Sequence, residues 1–498
     1  MCKKLTFLLV ITSVVACAGT EQWHSDTFVI WPQKAGAPKQ TSVVSFSDWL
    51  VFGNAIYGKP GVRFIINTMA ASGIRSIWWR TFGGGHAQYS SKVDDVTMAN
   101  YAGQGANYSH YNSLKDAVGY AHKLGLNIKA WYTPLEEAHA WPDNVRSKYT
   151  DLHKNMWDVS YSGVKLDAPS FFYKKYRDYK LALAREMLCD YDTDGIVIDF
   201  ERRGAPCRND QWGYLPQVIQ GFNRKYNRSG KPKINDSKWL AYRADFIGKF
   251  MRGVKNIAKK QRQRPAEVTA IFPVKRSLTA HYNIPKWCRD KTIDSIGLIA
   301  HGSSWGAPSG DLAKYKAESE KYSLPVSVIL YSLKGKPAEI EKSFDNAVAG
   351  GAKDIIWFET TYLYFNKLHA IPRRKACPVK AELSSPEYNF SQGGEVYLIA
   401  AGKWKMRIGE KIISEGDADK VYKLLIPKMQ VQTRLHIDCE LNSNSSKAGV
   451  AIQGKIGDRH VRTDKKWTSR NGKIVTLAQP GIPPFLAPLD SISKGRKK

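Results

Sequence analysis

The stretch Asp194-Gly195-Ile196-Val197-Ile198-Asp199-Phe200-Glu201 decides how the chain is read. It has the composition of a short buried strand that ends in carboxylates. Alternate side chains of a strand share a face, so Val197, Asp199 and Glu201 lie on one side and Ile196, Ile198 and Phe200 on the other. The apolar face needs cover, while the opposite face turns polar where the strand ends. Parallel α/β enzymes place their chemistry at that end of the strand. In a barrel, Asp199 and Glu201 would both point into the mouth.

Outward from this run, residues from about 40 to 370 alternate strand-like and helix-like segments, the pattern of parallel β/α units. Strands are expected at 43–46, 76–80, 127–132, 194–201, 267–272, 295–301, 326–331 and 354–358. Helices are expected at 62–71, 114–124, 171–188, 239–261, 311–321 and 339–349. Eight strands in about 330 residues suit a (β/α)8 TIM barrel with long loops, here assigned to residues 25–372. Beyond Pro372-Arg373-Arg374 the pattern changes to short β-prone runs (395–400, 421–426, 433–437, 448–453) separated by turn residues. Residues 376–480 are therefore expected to form a small all-β, sandwich-like accessory domain, with a basic tail at 481–498.

Residues 1–17 have the form of an export signal, with Lys3 and Lys4 ahead of the apolar stretch Leu5 to Val15. Val14-Val15-Ala16-Cys17 resembles a lipobox. Two outcomes stand open: lipidation of Cys17, or ordinary cleavage near Ala16 or Ala18. The expected location is outside the cytoplasm, as a periplasmic protein, an outer-membrane lipoprotein or an extracellular one. Membrane contact is expected only through Cys17. The cysteines show no metal-ligand spacing, and one disulfide, Cys189 to Cys207, is compatible with export.

The 75 Lys and Arg against 45 Asp and Glu give a net charge of +30. Such a surplus favours a polyanionic partner or an anionic setting. No nucleic-acid motif is recognisable. An acidic or sulfated polysaccharide fits both charge and location, and no nucleic acid, metal or cofactor is expected.

The strand ends of the expected barrel nominate the site. For chemistry they offer Glu201 as acid, with Asp199 or Glu359 as its partner. Glycoside hydrolysis normally uses two carboxyl groups, one protonated. A carboxylate two residues away raises the proton affinity of Glu201, as an acid requires. Glu359, on the eighth strand, would face the fourth across the barrel. A structural alternative for Asp199 is an ion pair with Arg80 or Arg202. Substrate contacts are expected from Arg80, His86, Trp131, Tyr132, Glu136, His139, Arg202, Lys275, His301, Trp305, Tyr331 and Trp357. Aromatic rings stack on sugar faces, and the bases pair with sulfate or carboxylate. Trp78 and Trp79 point opposite ways, so at most one faces the site.

Two resemblances follow from these residues. Asp194, Gly195, Asp199 and Glu201 are similar to the strand-four signature of family 18 chitinases, which implies Glu201 as acid and Asp199 as its helper, with Trp357 at the strand-eight tryptophan. Val197 departs from that signature, which has an acidic residue there. The segment from Asn112-Ser113-Leu114 to Trp131-Tyr132 resembles the helix and third strand of the family-10-like bacterial glycosyl hydrolases. Together these imply a sugar-active barrel; with the signal-like segment and the charge, the expectation is an exported glycoside hydrolase acting on an anionic or sulfated polysaccharide. The alternative is a non-catalytic glycan-binding surface lipoprotein.

Overall fold

The computed structural model describes residues 27–30, 36–45, 59–94, 112–139, 145–200, 212–261, 265–273, 282–299, 317, 320–321, 323–331, 336–360, 372, 380–400, 402–417, 421–441, 450–462, 467–470 and 473–476. They fall into two compact units.

The first is a closed barrel of eight parallel strands: β1 (Lys39–Val44), β2 (Ser76–Gly83), β3 (Asn127–Tyr132), β4 (Gly195–Asp199), β5 (Glu267–Pro273), β6 (Ser295–Ile299), β7 (Val326–Tyr331) and β8 (Asp354–Phe358). Each pairs with its neighbour in sequence, and β8 pairs with β1 to close the ring. All eight expected strands are present. The fourth and the eighth lie on opposite sides.

The described helices include α1 (Lys59–Ala71), α2 (Ser113–Leu124), α3 (Lys174–Arg185), α4 (Pro216–Tyr226), α5 (Ser237–Lys259), α6 (Ile284–Arg289) and α7 (Pro337–Ala349). Local chemistry sets their ends. Asn112 caps α2 by accepting from Lys115 N–H, and Gly125 closes it in the left-handed conformation at φ 73°. Leu114, Ala117, Val118, Ala121 and Leu124 form its buried stripe. Asp236 caps α5 with bonds of 2.9 and 3.1 Å from the N–H groups of Lys238 and Trp239. The expected helix 311–321 lies largely outside the described residues.

Alternation along the strands divides the core. Val43, Trp78, Trp131, Val197, Ile271, Ile299, Ile329, Ile356 and Phe358 fill the barrel interior, so every strand contributes. Burying each such side chain stabilises by about 1.5–3 kcal/mol. Of the Trp78–Trp79 pair, Trp78 is the inward one. The interior is therefore packed, and room for chemistry remains only above this layer.

Asp194-Gly195 has a structural job at the bottom of β4. Asp194 Oδ2 accepts from Ile128 N–H at 2.7 Å and lies 3.2 Å from His122 Nε2. A Cβ on Gly195 would sit 2.5 Å from the carbonyl oxygen of Glu267, so the strand can approach β5 this closely only without a side chain. Nearby, Lys129 pairs with Glu267 at 2.7 Å, and Thr41 donates to Asp354.

The second unit holds two antiparallel sheets. The strands are β9 (Lys380–Asn389), β10 (Gly394–Ala400), β11 (Gly402–Ile408), β12 (Lys411–Asp417), β13 (Val421–Ile426), β14 (Gln432–Leu441), β15 (Val450–Ile456), β16 (Arg459–Arg462) and β17 (Thr468–Arg470). One sheet has the order β12-β11-β14-β9-β17, the other β13-β10-β15-β16. Their inner faces share one core, including Leu383, Trp404, Met406 and Ile437 from the first sheet and Val396, Leu398 and Ile452 from the second. This is a sandwich. A two-stranded ribbon was not anticipated: Thr27–Ile30 pairs antiparallel with Lys473–Thr476. A segment that precedes the barrel thus joins a strand from the far end of the chain.

Candidate active site

The described groups at the barrel mouth form a connected row across β2, β3 and β4. Asp199 follows Val197 on the inward face and is fully buried. Its Oδ2 accepts a hydrogen bond from the indole N–H of Trp131 at 3.1 Å. The Trp131 ring in turn lies beneath the Arg80 guanidinium, 5.0 Å from the ring centroid. Arg80 pairs with Glu136 at 2.5 Å, both side chains being about one-twentieth exposed. Thr133 donates to the same carboxylate oxygen at 2.9 Å. Of the two bases expected as ion-pair alternatives for Asp199, Arg80 reaches Trp131 and Glu136, and Arg202 lies outside the described residues.

Gly83 lies close under this row. A Cβ there would fall 2.3 Å from an Arg80 terminal nitrogen, so the guanidinium folds over a glycine. That is a packing reason for the Gly83-Gly84-Gly85 run, which lacks the lysine of a phosphate-binding loop.

Behind the row lies a second buried cluster. Glu137 accepts from Thr150 at 2.6 Å and from Tyr176 at 2.5 Å, and Lys180 Nζ stands 2.5 Å away. Burial lowers the Lys180 ammonium from its usual range, against the opposing pull of Glu137. His86 is buried with Nδ1 3.6 Å from Asp94. Burial would raise the Asp94 carboxyl, but bonds from His86, Ala87 N–H and Tyr179 together outweigh it and hold it below its ordinary value. Asp94, Tyr179 and Lys180 were not read from the sequence. Only the Tyr176/Lys180 spacing of i, i+4 on α3 hints at them.

Two expected substrate contacts are corrected. Tyr132 faces outward, is fully buried, and donates to the Lys180 carbonyl at 3.2 Å. Trp357 also faces outward, where its indole bonds Gln40 at 3.0 Å and its ring stacks on Phe344 of α7. Strand parity decides both: Trp131, Ile356 and Phe358 take the inward positions beside them.

Glu359 follows β8, on the side opposite β4, and is buried. Ser45, beyond the end of β1, donates to its Oε2. Thr360 donates to the Val43 carbonyl at 2.9 Å and so fixes this end of β8 to β1. Glu201, Arg202, Lys275, His301 and Trp305 lie outside the described residues, as does Cys207. His139 and Tyr331 are placed by backbone alone, in the short strand Ala138–His139 and at the end of β7. Among the described residues no group of three or more His, Cys, Asp and Glu is arranged to hold a metal ion.

The family model for glycosyl hydrolase-like 10 proteins matches residues 48–345, more than half of the chain. The chain belongs to the glycosyl hydrolase-like 10 family. In this glycosyl hydrolase-like 10 protein the matched stretch holds β2 to β7, including Asp199 and Glu201, and ends before Glu359.

No curated protein matches the chain. Solved structures similar to it include α-L-fucosidase isoenzyme 2 from Paenibacillus thiaminolyticus, 12% identical with a TM-score of 0.45 over 68% of this chain and 50% of that one. The chain thus spans half the length of the fucosidase. A chitinase from Rhizomucor miehei is 12% identical, with a TM-score of 0.38 over 68% of this chain and 99% of that one. The endo-β-1,4-mannanase from Thermotoga petrophila is 8% identical, with a TM-score of 0.39 over 89% of this chain and 98% of that one.

Proposed function

We propose that the protein is an exported glycoside hydrolase that cleaves an anionic polysaccharide by carboxylate acid chemistry at the mouth of β4. The observation that carries this reading is Asp199, a buried inward carboxylate above the Val197 layer, tethered by Trp131.

In this reading Glu201, two residues on, protonates the leaving glycosidic oxygen. A carboxylate at Asp199 would raise the proton affinity of Glu201, as an acid requires. Glu359, from the opposite strand, is the second carboxyl that glycoside hydrolysis requires. Trp131 orients Asp199, and the Arg80–Glu136 pair holds the Trp131 ring in place. The chain's +30 charge supports an acidic or sulfated substrate, and the signal-like residues 1–17 support export, with Cys17 as the point of anchoring.

Cleavage is screened on sulfated and uronic-acid polysaccharides. On the substrate found, Glu201→Gln is expected to abolish turnover and retain binding. Azide is expected to rescue Glu359→Ala but not Glu201→Gln with a polymer leaving group. Full activity of Glu201→Gln would overturn the assignment. Rising salt is expected to weaken substrate binding through screening, and salt-independent affinity would remove the argument from charge.

A further inference from the structure

The positive charge of this chain is concentrated. Residues 216–261 hold twelve Lys and Arg against Asp236 and Asp245, a net +10. Roughly a third of the surplus therefore sits in less than a tenth of the chain. These residues form α4, α5 and the turn between them.

The two acids are already engaged. Asp236 caps α5 and pairs with Arg228, while Asp245 pairs with Lys249 and Arg252. No carboxylate among the described residues pairs with Lys225, Lys231 or Lys238, all of which are exposed.

Aromatic rings hold these cations instead. Lys225 lies over Tyr226 and Tyr242, at 5.4 and 5.6 Å from the centroids. Lys238 lies 5.7 Å over Tyr226, and Lys231 lies 4.2 Å over Tyr161 while donating to its carbonyl. Each such contact is modest, but together they pre-order ammonium groups on a half-buried ring platform. A polymer that binds there meets cations whose side-chain freedom is partly spent.

Topology sets the position of the platform. α5 feeds β5, so its first turns lie at the C-terminal rim of the barrel, the end that holds Asp199. Tyr161 comes from the hairpin after β3, whose backbone is joined to the segment after β4 by Tyr214 N–H donating to the Val159 carbonyl at 2.9 Å. The platform thus borders the mouth over β3 and β4.

We infer that this rim surface is an exosite for an anionic polysaccharide, which holds a stretch of polymer outside the cleft while another part reaches Asp199. The inference rests on the glycosidase reading above. Nucleic acid would also answer the charge, but the half-buried rings already carry lysines on them, and the glycosidase reading favours a polysaccharide; the test below separates the two.

The test is retention on immobilised dextran sulfate and polygalacturonate as salt is raised, with neutral dextran as control. Lys225→Glu/Lys231→Glu/Lys238→Glu is expected to lower affinity roughly tenfold or more, since three exposed charge contacts are lost. Lys411→Glu/Lys428→Glu/Lys455→Glu, an equal charge change in the sandwich, is expected to have little effect. Equal losses from the two variants, or none, would overturn the exosite. So would tighter binding of single-stranded DNA than of dextran sulfate at the same salt, abolished by the same three substitutions. Gln at 225, 231 and 238 provides a gentler version if the reversed variant does not fold. Cleavage of a short oligosaccharide is expected to survive the exosite variant. Loss of that cleavage in Glu201→Gln tests the glycosidase reading separately.

Discussion

The indole of Trp131 on β3 donates to Asp199 on β4 at 3.1 Å, between residues that both face the packed interior of the barrel. A tryptophan of the core layer is therefore also the group that aims a carboxylate at the mouth. Trp131→Phe keeps the packing and removes the donor. We expect kcat/KM to fall roughly tenfold, the worth of one hydrogen bond to a charged group. If Glu201 is the acid, as proposed, Asp199→Asn is expected to let it lose its proton more readily. The alkaline limb of the pH–rate profile is then expected to move to lower pH. An unmoved limb would separate Asp199 from the acid.

The Arg80–Glu136 pair is almost wholly buried, so neither charge tolerates the loss of the other. Arg80→Met is expected to destabilise the protein by about 3–5 kcal/mol, and Arg80→Met/Glu136→Met to recover most of that. Urea unfolding of the two variants is the measurement. Equal losses in both would mean that the cost is packing over Trp131 and not unpaired charge.

Asp158 is a buried acid outside the row. Burial pushes its carboxyl up to about 6, against the bonds from Val159 N–H, Ser170 and Gly213 N–H and the charge of Arg243. Between about pH 4 and 6 the folded state holds a proton that the unfolded chain has released, so this group's contribution to stability falls as pH rises through that window. Relative to wild type, Asp158→Asn is expected to gain up to about 3 kcal/mol on going from pH 4 to pH 7. Unfolding free energies at the two pH values check this, and a pH-independent difference would refute it.

Gly195 passes within 2.5 Å of the Glu267 carbonyl once a Cβ is added. Gly195→Ala is expected to cost about 1–3 kcal/mol, by forcing β4 and β5 apart at the foot of β4. Thermal unfolding reads the loss directly. A neutral result would show that the strands separate there without cost.

The eight strands were legible because each is a short apolar run between turn or helix signals, as in residues 195–199 or 354–358. The carboxylate strand was legible for the same reason, and parity correctly sent Val197 and Asp199 inward. Trp357 and Tyr132 were misplaced although the same rule applied to them. Aromatic residues near a strand end look like sugar platforms, yet one residue's shift in parity turns them toward the helices. The Arg80–Glu136 and Glu137–Lys180 pairs were not legible, because residues 56 and 43 positions apart meet only through the loops above the barrel. Nor did composition reveal the ordering of the rim lysines on Tyr161, Tyr226 and Tyr242, since that depends on the packing of three separate segments.

The ribbon that pairs Phe28 with Val475 has a consequence for synthesis. Its first strand leaves the ribosome ahead of the whole barrel, and its partner follows only after the sandwich strands have been made. Until that partner is made, the segment Thr27-Phe28-Val29-Ile30 lacks the pairing it has in the folded protein, and an unpaired apolar segment of this kind can recruit wrong partners.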